Sequence, residues 1–261
     1  MDKLPLRVSQ ERWKQAQEWE LGVWRSLDCR ASRRWRTRLK EIVKGFIAKG
    51  SCGFGDDWNF WWAERFDGYQ SLPAALENAV ELGCGLYTNM RLILENRRIR
   101  HVYCSDPLIR EYLTLKKSWL AGAWVERNVL VDDHPIEECP FASDYFDLVV
   151  LVNVLDHVRD GIVGLRQAIR ITKRGGYLVV GQDLSNAEDI VRVGDDIGHP
   201  IRIDHSTLDE ELMPHFETVL YRILKREEGR NPEAHYGTYI FIGRKSAPTS
   251  SGEAVRHSVQ T

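Results

Sequence analysis

From Asn78 onward the chain alternates short apolar runs with stretches of helical length, a pattern that few folds accept. A strand that is apolar along its whole length must be covered on both faces, as in a parallel sheet with helices packed on either side. The runs predict strands over 79–82, 101–104, 127–131, 146–152 and 177–181, with helices over 89–96, 108–119 and 161–172. After Gly181 the order changes. Two further runs, 216–224 and 237–242, are joined only by the short polar connection 226–236, which leaves no room for a crossover helix, so they pair antiparallel. The expected architecture is α/β: a seven-stranded, mostly parallel sheet finished by an antiparallel strand pair at its C-terminal end.

What precedes the sheet is of another kind. Residues 9–49 read as helix in two pieces. In the first, Trp13, Ala16, Glu20, Val23, Trp24 and Leu27 recur at helical spacing behind an N-cap at Ser9; the second carries Trp35, Leu39, Ile42, Val43 and Phe46 to Gly50. Between 53 and 69 the aromatic density rises far above the chain average of 10%. Sheet building starts only near Asn78, so Trp58, Phe60, Trp61, Trp62, Phe66 and Tyr69 either pack on the main domain or cover a ligand. This divides the chain into a helical, aromatic-rich lid or extension (1–70), the sheet domain (71–246), and a tail (247–261) expected to be disordered because it is rich in Ser and Thr and lacks periodicity.

The overall charge excludes some functions. Lys plus Arg total 36 against 38 for Asp plus Glu, a net charge of −2, so no global field marks a nucleic-acid coat or a membrane-surface protein. One local stretch, 25–49, holds nine Lys or Arg and only two acids. It reads either as a solvated helix face or as a surface for a phosphate-bearing acceptor. RNA ranks below a small or glycan acceptor, because the aromatics are clustered and not interleaved with the basic residues. Cys29, Cys52, Cys84, Cys104 and Cys139 are scattered and form no C-x-x-C pair, which points to reduced thiols in a cytoplasmic protein. No apolar run approaches the roughly 18 residues of a membrane span.

The first strand ends in Glu81-Leu82-Gly83-Cys84-Gly85 and leads into a helix. Glycines there let the backbone turn sharply and lie against a ligand, and the free N–H groups of the following helix suit an anionic group. The second strand ends at Ser105-Asp106-Pro107, 23 residues beyond Gly83. A carboxylate in that place can accept hydrogen bonds from both ribose hydroxyls of an adenosine, and it can also cap the helix that begins at Pro107. A dinucleotide fingerprint needs Gly or Ala three residues after the second glycine, where this chain has Thr88, and this counts against NAD.

Further along stand Cys139-Pro140-Phe141, Phe146-Asp147-Leu148-Val149, Leu155-Asp156-His157-Val158 and Gly175-Gly176. With the glycine turn and Asp106, this ordered set resembles the class I S-adenosylmethionine-dependent methyltransferases, especially the broad type-11 group. The resemblance covers about 78–245 and leaves the first seventy residues unexplained. Cys139 stands where the family usually has Leu, and Asp156 where it usually has Glu. The resemblance implies a Rossmann-like doubly wound fold, S-adenosyl-L-methionine as cofactor, and a transferase passing a methyl group to an acceptor. It further implies that Gly83 and Gly85 back the methionine part of the cofactor and that Glu81 faces its amino group. Asp106 would hold the ribose, Ile136 and Glu137 would flank the adenine, and Asn153 would lie below the methyl group. Tyr69 would close over the methionine carboxylate.

A sulfonium methyl is already activated, so the protein need only align a nucleophile, exclude water and, where required, remove a proton. That chemistry demands no metal, and Asp132 with Asp133 read as solvent-facing loop carboxylates. Histidines are the candidate bases, since they titrate near neutrality. His157 either braces the turn after the fourth strand or acts on the acceptor. His205, beside Asp204 in the insert after the fifth strand, is the first choice for acceptor contact or base, although a helix cap at Ser206 accounts for part of the same string. The expected acceptor is a small molecule or a sugar or glycan, methylated at oxygen or nitrogen; the alternatives are a methyltransferase acting on RNA or protein and a cofactor-binding regulatory domain without catalysis.

Overall fold

The computed structural model describes residues 4–33, 57–126, 128–194 and 196–247, and of residues 27–33 and 57 the backbone alone. The second N-terminal helix, the Gly53–Gly55 stretch, most of the basic run and the tail from 248 lie outside the described residues.

The strands β1 (Ala75–Leu82), β2 (Arg98–Ser105), β3 (Leu130–Asp132), β4 (Phe146–Val152), β5 (Thr172–Leu184), β6 (Phe216–Lys225) and β7 (Gly237–Lys245) form one sheet in the order β3-β2-β1-β4-β5-β7-β6. All pairs from β3 to β5 are parallel; β7 runs antiparallel to both β5 and β6. The reversal between β1 and β4 is where the sheet order changes direction, and ligands in such sheets sit beyond the C-terminal strand ends at that crevice.

The strand sequences explain the layering. Along β4, Val149 and Leu151 enter one core with Leu178, Val180 and the helix Gly161–Ile171, through Leu165 and Ala168. The alternating Leu148, Val150 and Val152 enter the opposite core with Val179, Met90 and Ile93. A strand that feeds two cores has no polar face, which is why the central runs are continuously apolar.

Several boundaries differ from those expected. The single helix predicted over 108–119 is two, Ile109–Tyr112 and Trp119–Val125, and the second is capped by Ser118, whose hydroxyl accepts the Ala121 N–H at 3.3 Å. β3 starts three residues later than predicted, while β5 extends well past both of its predicted ends. A helix at Ala187–Val193, with a capping box between Asn186 and Asp189, has no counterpart in the periodicity reading.

The described part of the N-terminus does two separate things. Its first helix, Gln10–Arg33, crosses the C-terminal edge of the sheet, where the Trp13 indole donates to His157 O at 3.1 Å and Arg12 donates to Ile197 O at 2.9 Å. Trp19 lies so close to Gly198 that a Cβ there would stand 2.5 Å from the indole. The helix Asp57–Arg65 instead seals one face of the sheet. Trp62, Phe66 and Tyr69 are buried in the core, with Trp62 pressed on Gly181 of β5.

Candidate functional site

The glycine turn after β1 is built by Glu81. One of its oxygens accepts the Asn89 N–H at 3.1 Å and the Asn89 Nδ2 at 2.8 Å; the other accepts the Met90 N–H at 3.0 Å and the Thr88 hydroxyl. Burial raises the Glu81 pKa, and these hydrogen bonds oppose the rise. The carboxylate thus holds the loop in place with oxygens already engaged. Gly83 and Gly85 both have positive φ, 65° and 57°. A Cβ at Gly83 would lie 1.9 Å from Val154 Cγ2, so no side chain fits, whereas a Cβ at Gly85 would meet no atom within 4 Å and would project into open space.

That open space is a cleft of about 540 Å³ that runs from the glycine turn to the N-terminal helix. Asp106, 8% exposed, closes one side of it. Its Oδ2 accepts the Gly85 N–H at 3.0 Å and its Oδ1 accepts the Leu108 N–H at 2.9 Å. Burial, reinforced by the charge of Glu20, pushes its carboxyl up to about 7, against the pull of those two N–H groups. Ile136 and Glu137 lie on a single 3₁₀ turn that also lines the cleft. Glu137 Oε1 accepts the Arg159 and Asp160 N–H groups at 2.6 and 2.9 Å, while its Oε2 is buried without a partner.

At the end of β4 the chain turns sharply. Asn153 has a φ of 52°, a conformation uncommon outside glycine, and its N–H donates to Gly181 O at 2.6 Å. Beyond it, Asp156, His157 and His199 gather. The His157 and His199 rings are 4.5 Å apart by centroid, and His199 Nδ1 contacts Asp196 Oδ2 at 2.9 Å. Burial pulls the His199 pKa down, but the Asp196 hydrogen bond and the Asp156 charge outweigh it and leave the ring at about 8. The cleft is also indole-rich: Trp13, Trp19, Trp24, Trp58 and Trp62 all border it, with Trp19 44% and Trp58 38% exposed.

Of the residues expected from the sequence, Glu81, Gly83, Gly85, Asp106, Ile136, Glu137, Asn153 and His157 are brought together around this cleft. Tyr69 and His205 are not among its lining residues. Tyr69 is fully buried beneath the glycine turn, where its hydroxyl is 3.4 Å from Asn89 Oδ1, because the aromatic segment 62–69 is spent on covering the sheet. His205 opens the helix His205–Leu212, and its Nδ1 is 3.0 Å from the Tyr236 hydroxyl. The Asp204 carboxylate caps that helix by accepting the Thr207 N–H at 2.8 Å. Within the insert it is His199 that reaches the cleft. Sequence reasoning also missed Glu20, whose Oε1 accepts the Tyr112 hydroxyl at 2.9 Å, and His134, which is 2.7 Å from Asp132 Oδ1. Asp133 is engaged by Arg110. No motif marks these residues, since they converge only through tertiary packing.

The residues fit an adenosyl cofactor with a methionine tail. An open glycine backbone stands at one end, a buried carboxylate with raised pKa beside it, and an unpartnered Glu137 oxygen along the wall. Among the described residues no helix is long and apolar enough to cross a membrane.

Comparison with known proteins agrees with this geometry. Residues 80–180 match the family model described as a methyltransferase domain. No curated protein matches the sequence. Among solved structures, the N-methyltransferase NodS from Bradyrhizobium japonicum WM9 aligns with a TM-score of 0.51 at 18% identity, over 70% of this chain and 97% of that one. NodS is also known in complex with S-adenosyl-L-homocysteine. The YcgJ protein from Bacillus subtilis aligns with a TM-score of 0.54 at 11% identity, over 72% of this chain and 99% of that one. The cyclase SpnF aligns with a TM-score of 0.54 at 16% identity, over 74% and 81% of the two chains. At these identities the alignments establish the fold, and the family match, with the ordered motifs and the cleft they line, establishes the kind of domain. Residues 80–180 therefore match a methyltransferase domain, and the chain has the fold of the solved methyltransferases.

Proposed function

We propose that the protein methylates a small-molecule or sugar-type acceptor, at oxygen or nitrogen, in the cleft between the glycine turn and the N-terminal helix. The observation that carries this reading is that one continuous cleft joins two chemically different ends. Gly83, Gly85 and Asp106 line the first; Trp19, Trp58, His157 and His199 line the second.

When bound, S-adenosylmethionine supplies an activated sulfonium methyl. At the first end, Asp106 offers its carboxylate to the ribose hydroxyls, and the backbone at Gly85 leaves room for the methionine tail. Ile136 gives the adenine an apolar neighbour, and Glu137 Oε2 gives it a polar one. Asn153 fixes the floor at the end of β4. At the second end the partly exposed indoles of Trp19 and Trp58 provide surfaces against which a sugar or ring system packs, one face of Trp58 being covered by the Arg230 guanidinium at 3.2 Å from the ring centroid. The helix Gln10–Arg33 bridges both ends, through Trp13 to His157 and Glu20 to Tyr112, and so serves as a cover that keeps water from the reacting atoms. A cleft of about 540 Å³ has the size of a small-molecule pocket, which favours a small acceptor.

Incubation of the protein with methyl-labelled cofactor and separate metabolite, glycan, RNA and protein fractions tests the proposal. Label is expected in a small-molecule or glycan fraction. Label confined to RNA or protein, or to no fraction, would overturn it.

A further inference from the structure

We propose that Asp156, His157 and His199 form a binding site for one divalent first-row transition metal ion of the zinc type, with its open position facing the acceptor end of the cleft. The ligand atoms of the three residues all lie within 4.8 Å of one another. Two ligands of one tetrahedral zinc ion, each at about 2.0–2.2 Å, stand about 3.3–3.6 Å apart, so side-chain adjustment of up to about 1 Å completes the site.

Three observations point to a ligand here. First, Asp156 is 3% exposed, yet neither of its carboxylate oxygens accepts a hydrogen bond. A carboxylate removed from water without a well-formed hydrogen bond is costly to bury, a cost that the nearby His157 and His199 imidazoles and the Gln182 amide offset only in part. Second, His199 has a carboxylate behind Nδ1, Asp196 at 2.9 Å, while His157 Nδ1 makes no hydrogen bond and has Glu20 only at 3.8 Å. For His199 that is the arrangement by which metal-bound imidazoles are oriented, with Nδ1–H directed to an acid and the Nε2 lone pair left for the ion. His157 Nε2 lies 3.9 Å from Asp156 Oδ1, on the side such an ion would occupy. Third, His157 and His199 both border the cleft, so an ion held between them has a free coordination position toward the acceptor. Two imidazoles and one carboxylate are a donor set suited to zinc, cobalt, nickel or iron(II), and poorly suited to magnesium or calcium.

The second cluster of this kind, Asp132, Asp133 and His134, lacks these features. Asp133 is engaged by Arg110, Asp132 accepts the Ser105 hydroxyl at 2.8 Å, and His134 is half exposed.

That the ion's open position would receive the acceptor's oxygen or nitrogen rests on the proposed function; binding of the ion itself does not. Metal-free full-length protein is titrated with zinc by calorimetry and with cobalt by visible absorption, and S-adenosylhomocysteine binding is measured separately on the same samples. The expected result is one zinc per chain, with cobalt giving the visible ligand-field bands of a low-coordinate site. Asp156→Asn and His199→Gln, chosen to preserve shape, should each weaken zinc binding by about 100-fold, and Asp196→Asn by about 10-fold, while thermal melts and S-adenosylhomocysteine affinity stay close to those of the parent. No zinc or cobalt uptake, or uptake undiminished in Asp156→Asn and His199→Gln, overturns the site. Loss of S-adenosylhomocysteine binding with metal binding intact would instead count against the cofactor reading alone.

Discussion

The Gly85 N–H donates to Asp106 Oδ2 at 3.0 Å, so the residue after β2 and the turn after β1 are locked together before any ligand arrives. This bond fixes the distance between the open glycine backbone and the carboxylate beside it. Asp106→Ala is expected to weaken S-adenosylhomocysteine binding by at least 100-fold, because two charge-assisted hydrogen bonds, each worth about 1.5–3 kcal/mol, are lost. Folding should persist. Calorimetry on the variant, alongside a thermal melt, checks both parts, and unchanged affinity in a folded variant would remove Asp106 from the ribose.

Cofactor affinity should also depend on pH through the same residue. Burial raises the Asp106 carboxyl to about 7, helped by the charges of Glu20 and Glu81 and opposed by the Leu108 and Gly85 N–H groups. Ribose hydroxyls donate better to a carboxylate than to a carboxylic acid, so binding is coupled to loss of the proton. Affinity for S-adenosylhomocysteine should therefore rise as the pH is raised through 7 and level off above it. Asp106→Asn, which has no proton to lose, should flatten the profile. A slope that survives in the variant would assign the titration to another group.

The two glycines of the turn should separate by experiment. Gly83→Ala places a Cβ 1.9 Å from Val154 Cγ2 at a φ of 65°, so it should cost about 3 kcal/mol or more of stability. Gly85→Ala, at a φ of 57° but with open space around the Cβ, should cost only about 1–2 kcal/mol while blocking the cleft. Denaturant melts and calorimetry distinguish a variant that loses its fold from one that loses its ligand. Equal stability losses would contradict the packing described at Gly83.

Covering of the cleft by the helix Gln10–Arg33 has a signature in hydrogen exchange. Amides of residues 10–26 should exchange more slowly once S-adenosylhomocysteine is added, and removal of residues 1–50 should abolish methyl transfer while leaving much of the cofactor affinity. Full-rate transfer by the truncated protein would show that the helix is packing alone.

The sheet was legible in the sequence because its strands feed two cores and so leave uninterrupted apolar runs; β4 begins and ends where the run 146–152 does. β5 was read too short because it continues through Asp183, buried and bonded to the Thr238 hydroxyl at 2.8 Å, and a polar residue ends an apolar run on paper. The helix Ala187–Val193 was missed for a related reason, since only its capping box announces it. Around the cleft, the glycine turn and Asp106 were legible because they follow strand ends, and Asn153 only through the family resemblance. That His199 lines the cleft while His205 does not is a matter of tertiary geometry. The two are six residues apart in one polar string, and what brings His199 into the cleft is the seating of Trp19 against Gly198 and the Asp196 carboxylate behind the ring.

The central claim is that this cleft binds the cofactor of a methyl transfer, and calorimetric titration of the full-length protein with S-adenosylmethionine and S-adenosylhomocysteine tests it most directly. The account predicts one site for each ligand with micromolar affinity, about −8 kcal/mol, and a matching rise in melting temperature. No heat and no thermal shift with either ligand, in a folded sample that binds NADH, would contradict it.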